Sequence, residues 1–217
     1  MILTRKFILS AAILTSTCLL ASQQADAAFY HFDISTGALT NDPGNPFSLD
    51  FTLISGGTFT NTITLSNFVF SGGTATGSAT ATGSASGSLG GTVTLTSGAN
   101  VFNDLYQKFS NGTTDIQFDL VTTTVMGGTP DNFSVSILDN SSPNPLPIFT
   151  TDSVNSTLAN LEIHTNTGVD PIVVSTYQST APSPAGVTAS VVPEPASCAG
   201  LLGGLSMLLA VRRRRKA

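Results

Sequence analysis

The sequence predicts an all-β chain: a single antiparallel β-sandwich of jelly-roll type, flanked by an N-terminal signal helix and a short C-terminal transmembrane helix. Three observations predict it. Apolar residues alternate with polar ones at period two through the middle of the chain, which puts every second side chain on one face of a sheet. Clusters of Gly, Pro, Asn and Asp separate these runs at short intervals, as antiparallel connections require. Between its two ends the 217-residue chain has enough residues for one core and too few for two.

The N-terminal end, residues 1–27, reads as a secretory signal peptide. Arg5 and Lys6 precede an apolar run from Phe7 to about Ala21, and "SQQADA" ends in the small-x-small site Ala25-Asp26-Ala27. Cleavage by signal peptidase leaves Ala28 as the first mature residue. An uncleaved anchor is the alternative, but the run is short and interrupted by Ser10, Thr15, Ser16 and Thr17.

The sandwich is expected over residues 28–178. Its strands are read at Phe47–Leu53, Ile63–Phe70, Gly91–Leu95, Ile116–Leu120, Phe133–Ile137, Leu158–Thr165 and Pro171–Tyr177. The turn-formers "NDPGNP" (Asn41 to Pro46), "SNGTTD" (Ser110 to Asp115), "GGTPDN" (Gly127 to Asn132) and "NSSPNPLP" (Asn140 to Pro147) fall between them. Asn100–Phe109 has Leu105 and Phe109 spaced i to i+4, which suits a helical turn or an irregular strand. Ser71–Gly91 is built almost entirely from Gly, Ser, Thr and Ala. Such a composition suits a flexible linker or small-residue edge strands; apolar strands on both sides favour the strands. Residues 179–192, with Pro182 and Pro184 and no strong apolar period, read as an extended tether.

Charge divides by region. Between Ala28 and Val192 Lys108 is the single basic residue, against ten Asp and one Glu, Glu162, which leaves ten net negative charges. Nucleic acid and anionic lipid surfaces repel such a body, so nucleic acid is excluded as a partner. The two cysteines, Cys18 and Cys198, lie in the terminal apolar runs, so the domain must be held by sheet pairing and apolar burial without disulfides.

No catalytic, cofactor-binding or metal site is expected. The body has two histidines, His31 and His164, and no G-x-S-x-G elbow, so a Ser/His/Asp set lacks its parts. His164 continues a strand alternation, and His31, beside Phe29, Tyr30 and Phe32, suits an edge strand. Cys/His metal sites lack thiols, and Asn41, Asp42 and Asn45 are more simply turn-formers than calcium ligands. Tyr30, Tyr106 and Tyr177 are the candidate platforms for a sugar, although the chain contains no Trp.

The C-terminal end, residues 193–217, has three parts. Pro193 and Pro195 hold Glu194 in extended backbone, Ala196 to Val211 form an apolar run, and Arg212, Arg213, Arg214, Arg215 and Lys216 form a basic block. As a helix the run spans roughly 24 Å at about 1.5 Å per residue, short of a hydrocarbon core of about 30 Å. It spans a thin or locally thinned bilayer, with the basic block retained in the cytoplasm and the acidic domain outside.

These three parts, in this order and at this end, resemble the PEP-CTERM sorting signal of Gram-negative bacteria. The resemblance implies processing beside Pro193, Glu194 and Pro195 by exosortase, a membrane-anchored intermediate, and delivery to the cell surface or extracellular polymer matrix. More weakly, "FYHFDI", "GTVTLTSGANVFNDLYQKFSNGTTDIQFDLV" and "FSVSILDN" resemble a group of PEP-CTERM proteins with a β-rich exported domain. The expected function is therefore a non-catalytic surface or matrix component; a module recognising matrix polysaccharide is the alternative, ahead of a hydrolase.

Overall fold

The computed structural model describes residues 27–40, 42, 46–57, 60–123, 129–163 and 172–193. Its strands are β1 (Ala27–Ser35), β2 (Phe47–Ile54), β3 (Thr62–Ser71), β4 (Ala75–Thr82), β5 (Ala85–Gly87), β6 (Val93–Thr96) and β7 (Phe102–Phe109), followed by β8 (Asp115–Thr123), β9 (Asp131–Asp139), β10 (Leu146–Pro147), β11 (Ala159–Ile163), β12 (Ile172–Thr176) and β13 (Thr188–Pro193). Among the described residues one 3-10 turn, Gly37–Leu39, interrupts them. The fold is all-β, with two antiparallel sheets stacked as a β-sandwich.

One sheet has the order β13-β1-β8-β3-β6-β5, the other β12-β11-β9-β2-β7-β4, with β10 added beside β9. The pairs nest: β1 lies on β8, β2 on β7 and β3 on β6, and the chain passes from one sheet to the other between β4 and β5. Every strand read from alternation is present, because apolar residues at period two give each one a buried face. In β8, Ile116, Phe118 and Leu120 are fully buried; in β2, so are Leu49, Phe51 and Leu53.

Five phenylalanines join the sheets. Phe32 and Phe118, register partners on β1 and β8, stack with ring centroids 4.7 Å apart. Phe118 meets Phe51 of the opposite sheet edge-on at 5.3 Å, and Phe51 continues to Phe133 at 6.2 Å. Phe68 reaches both Phe118 and Phe51. It does so from a bulge in β3, where the register with β8 shifts between Ser66 and Val69 and Asn67 takes φ 57°.

The low-complexity stretch forms β4 and β5, each at the edge of its sheet. Small side chains suit this crossing between sheets. Gly87 has φ 105°, and a Cβ there would lie 1.9 Å from the Thr92 carbonyl oxygen, so glycine is required where β5 meets β6.

Three expectations change. Of the two readings of Asn100–Phe109 the strand holds and the helical turn does not: Phe102–Phe109 is β7, with Asn103, Leu105, Gln107 and Phe109 all buried. Positions i and i+4 share a face in a strand as well as in a helix, so the Leu105/Phe109 spacing could not choose between them. Residues 179–192 are not a tether. Ser179 closes a loop by exchanging hydrogen bonds with Val187, and Thr188–Pro193 pairs with β1 from Ser35↔Thr188 to Tyr30↔Pro193. The reason is a hidden alternation: Val187 is fully buried, and Ala189 and Val191 pack on the core. The same pairing means that His31 is not on an edge strand, since β1 lies between β13 and β8. The signal helix and the transmembrane helix fall outside the described residues.

Truncating the aromatic bridge with Phe118→Ala is expected to destabilise the fold by about 3–5 kcal/mol. Val69→Ala, at a side chain 53% exposed, should change it little. Urea unfolding followed by far-UV circular dichroism measures both.

Candidate functional site

Alternation that turns one side of the seven-stranded sheet into the core leaves its other side to polar residues. Register places them in rows across the strands. Thr82 lies opposite Asp104, Asp104 opposite Thr52, Thr52 opposite Ser134, Ser134 opposite Asn160, and Asn160 opposite Ser175. In the next row Thr80, Tyr106, Asp50 and Ser136 follow one another. This face carries the candidate site.

Two features recess it. On one side β4 bulges between Thr76 and Thr80, with Gly77 at φ 66°; the Gln107 amide holds the bulge through the Gly77 carbonyl at 2.8 Å. The bulge, Tyr106, Lys108 and the Asn140–Pro145 loop bound an open groove of about 540 Å³. On the other side, chain around Pro147, Asn155 and Thr157 overhangs β2, β9 and β11, leaving a cleft of about 370 Å³ lined by Asp50, Ser134, Ser136 and Asn160. The two recesses adjoin, because Asp50 and Tyr106 are register partners.

Asp152 fixes the overhang. Its carboxylate accepts from the Thr157 hydroxyl at 2.7 Å and from the backbone N–H groups of Val154 and Asn155 at 3.1 and 3.2 Å. Burial opposes its ionisation, but the hydrogen bonds from Thr157, Asn155 and Val154 outweigh burial and hold the carboxyl below its usual value.

Asp50 is the opposite case. It is 9% exposed, and burial, followed by the charge of Asp104 and a side-chain hydrogen bond with it, pushes its carboxyl up to about 9. At neutral pH Asp50 therefore keeps its proton and donates to Asp104, which also accepts from the Thr52 hydroxyl at 3.1 Å. Asp50 Oδ1 and Asn160 Oδ1 are both buried and accept no hydrogen bond from the protein. Unsatisfied buried oxygens are costly and uncommon, and two in one cleft mark it out from the rest of the surface.

The two carboxyls sit side by side on neighbouring strands and share a proton. They do not face each other across a gap, which is the arrangement that glycoside hydrolysis needs.

Other polar clusters are internally satisfied. At one end of the sandwich the Asp131 carboxylate accepts from Gly56 N–H, the Asn61 amide and the Ser97 hydroxyl at 2.8, 2.8 and 2.6 Å. On the outer side of the six-stranded sheet His31 Nδ1 lies 2.8 Å from Asp119, which also accepts from Asn67 at 2.7 Å. Burial, followed by the hydrogen bond and charge of its neighbour Asp33, raises the Asp115 carboxyl to about 6. Among the described residues no group of three His, Cys, Asp or Glu could hold a metal ion.

The tyrosines expected as sugar platforms separate. Tyr30 is 7% exposed and faces the core, so it is unavailable as a platform; it shares the inward parity of Phe32 and Ile34 on β1. Tyr106 stands on the candidate face, and Tyr177 follows β12 with its N–H bonded to the Leu158 carbonyl. Pro193 ends β13 and Ala28 lies in β1, one residue after the first described residue, Ala27. Ala25, Glu194, Pro195, the Arg212–Lys216 block, His164, Asn41 and Asn45 lie outside the described residues. Asp50, Asp104 and Asn160 were not singled out from sequence. Asp50 is simply the polar partner in the Phe47–Leu53 alternation, and its burial comes from chain about 100 residues later.

The chain matches no protein family, no curated protein and no solved structure.

From about pH 5 to pH 8 the folded chain retains the Asp50 proton that the unfolded chain releases at its ordinary value of 3.8. Asp50 thus lowers stability as pH rises, by up to about 1.4 kcal/mol per unit, until the folded value near 9 is passed. Asp50→Asn is expected to remove this slope and to stabilise the protein most at the alkaline end. Urea midpoints for both proteins across that range check it, and parallel slopes would refute the buried neutral acid. Asp152, held low, acts in the other sense: its contribution is present above the ordinary carboxylate range and disappears as pH falls through its folded value.

Proposed function

We propose that this chain is an exported, exosortase-processed component of the cell surface or extracellular matrix. Its jelly-roll-like β-sandwich is non-catalytic and serves a structural or adhesive role in an exopolysaccharide or biofilm matrix. The observation that carries the reading is the three-part tail: Pro193, Glu194 and Pro195, then the apolar run Ala196–Val211, then Arg212–Lys216. A removable span with a cytoplasmic basic stop suits a domain that is held briefly at the inner membrane and then released outward.

The domain's own architecture supports it. β1 and β13 are antiparallel neighbours, so the chain enters at Ala27 and leaves at Pro193 from the same end of one sheet. A signal segment and a tail attached there would emerge side by side towards one membrane. The nested strand pairs support the jelly-roll description, and two carboxyls side by side on neighbouring strands do not make the facing pair that glycoside hydrolysis needs. Ten net negative charges between Ala28 and Val192 suit release from anionic lipid and nucleic acid alike.

Intact mass of the protein recovered from its producing cell tests the reading. The expected species starts at Ala28 and lacks the tail beyond the Pro193–Pro195 region. A species that starts at Ala28 and still ends in Arg212–Ala217 would mean a permanent anchor.

A further inference from the structure

We propose that the outer face of the seven-stranded sheet is a binding site for a neutral polysaccharide, whose chain lies across the strands from Tyr106 to Asn160. The inference deepens the matrix reading, and it rests on that reading only for where such a polymer is encountered.

Asp50 Oδ1 and Asn160 Oδ1 are buried acceptors that receive nothing from the protein, and both line the cleft beneath Asn155 and Thr157. A ligand suited to them brings donors. Between the strands that carry them lies β9, whose Ser134 and Ser136 offer hydroxyls that can both donate and accept. The site therefore presents acceptors at its two sides and adaptable groups between, spread over several strands. One cation cannot satisfy acceptors two strands apart, at about 4.8 Å per strand; a chain of linked polyols can.

Reach and shape agree with this. The row from Thr82 to Ser175 crosses five strand spacings, about 24 Å, which is the length of a short oligosaccharide. Tyr106, half-buried beside Asp50, supplies an apolar ring with a polar tip where the cleft opens into the groove under the β4 bulge. Gly77 sits at the bulge where a Cβ would meet no heavy atom within 4 Å, so its positive φ, not crowding, calls for glycine.

Charge selects the class of polymer. Asp104 and Glu162 lie on this face, Asp50 beside Asp104 is protonated, and Lys108, at the groove, is the one basic residue between Ala28 and Val192. Uronate or sulfated chains would bring negative charge and further acceptors to a recess beside Asp104 whose unfilled need is for donors. Uncharged hexose polymers do not.

The test uses protein recovered from the producing cell, titrated calorimetrically with neutral hexasaccharides of β-glucan, mannan and galactan, and with polygalacturonate of similar length. Binding of at least one neutral oligomer is expected, with no measurable heat from polygalacturonate. Asn160→Ala and Tyr106→Ala should each weaken it tenfold or more, while His31→Ala on the other sheet leaves it unchanged. Should either variant fail to fold, Ser134→Ala, which deletes one hydroxyl in the middle of the row, serves in its place. No affinity for any neutral oligomer, affinity that survives these substitutions, or stronger binding of polygalacturonate overturns the proposal. Each of those results leaves the mass of the processed chain untouched, so the site and the sorting fail separately.

Discussion

The edge-on contact between Phe51 and Phe118 is the interaction on which the rest of the sandwich depends. It joins one sheet to the other at the centre of a group that also includes Phe32, Phe68 and Phe133. Both cysteines lie in the terminal runs, so no covalent link can stand in for it within the domain. Aromatic rings add large apolar surfaces to a core otherwise built of Leu, Ile and Val, and their edge-to-face geometry fixes how the sheets sit on each other. A sandwich with this many small residues needs such a bridge. Even the β3 bulge serves it, by turning Phe68 inward from a position that strict alternation would have sent elsewhere.

Committing one side of the seven-stranded sheet to that core determines the other. Each inward Leu49, Phe51 and Leu53 forces Asp50 and Thr52 outward, and the long connection after β10 then covers part of what was turned out. A carboxyl placed in the open would ionise without consequence. Placed beneath the overhang and beside Asp104, it stays protonated well above neutrality and weakens the fold. Leucine or threonine at position 50 would remove that cost. A costly group with a buried oxygen that meets no protein donor is more simply explained by a use than by packing.

Much of the fold was legible because period two survives wherever one face is buried: Phe47–Leu53, Ile116–Leu120 and Phe133–Ile137 all became strands, and the small-residue stretch became edge strands. The strands that were missed or left open had weaker or ambiguous patterns. β7 mixes Asn103 and Gln107 with Leu105 and Phe109 on its inward face, and both polar side chains are satisfied by backbone groups far away in sequence. β13 buries only small or β-branched residues, so Ala189 and Val191 looked like tether. The site was less legible than the fold. Tyr106 could be picked out as an aromatic, but the burial of Asp50 and Asn160 is produced by segments distant in sequence, and no local pattern records it.

The strand that sequence reading missed also constrains how the two ends of the molecule can work. Six residues of β13 pair with β1, and the last of them is Pro193, so no free chain separates the sheet from the start of the tail. Under the proposed sorting, an unprocessed domain would hang directly at the membrane, with its entry and exit strands side by side. A flexible tether would have let the domain search for polymer while still anchored. A paired strand does not: reach comes only when the tail is removed, unless β13 separates from β1. Capture of a polymer on the opposite sheet and release from the membrane would then occur in a fixed order, with release first.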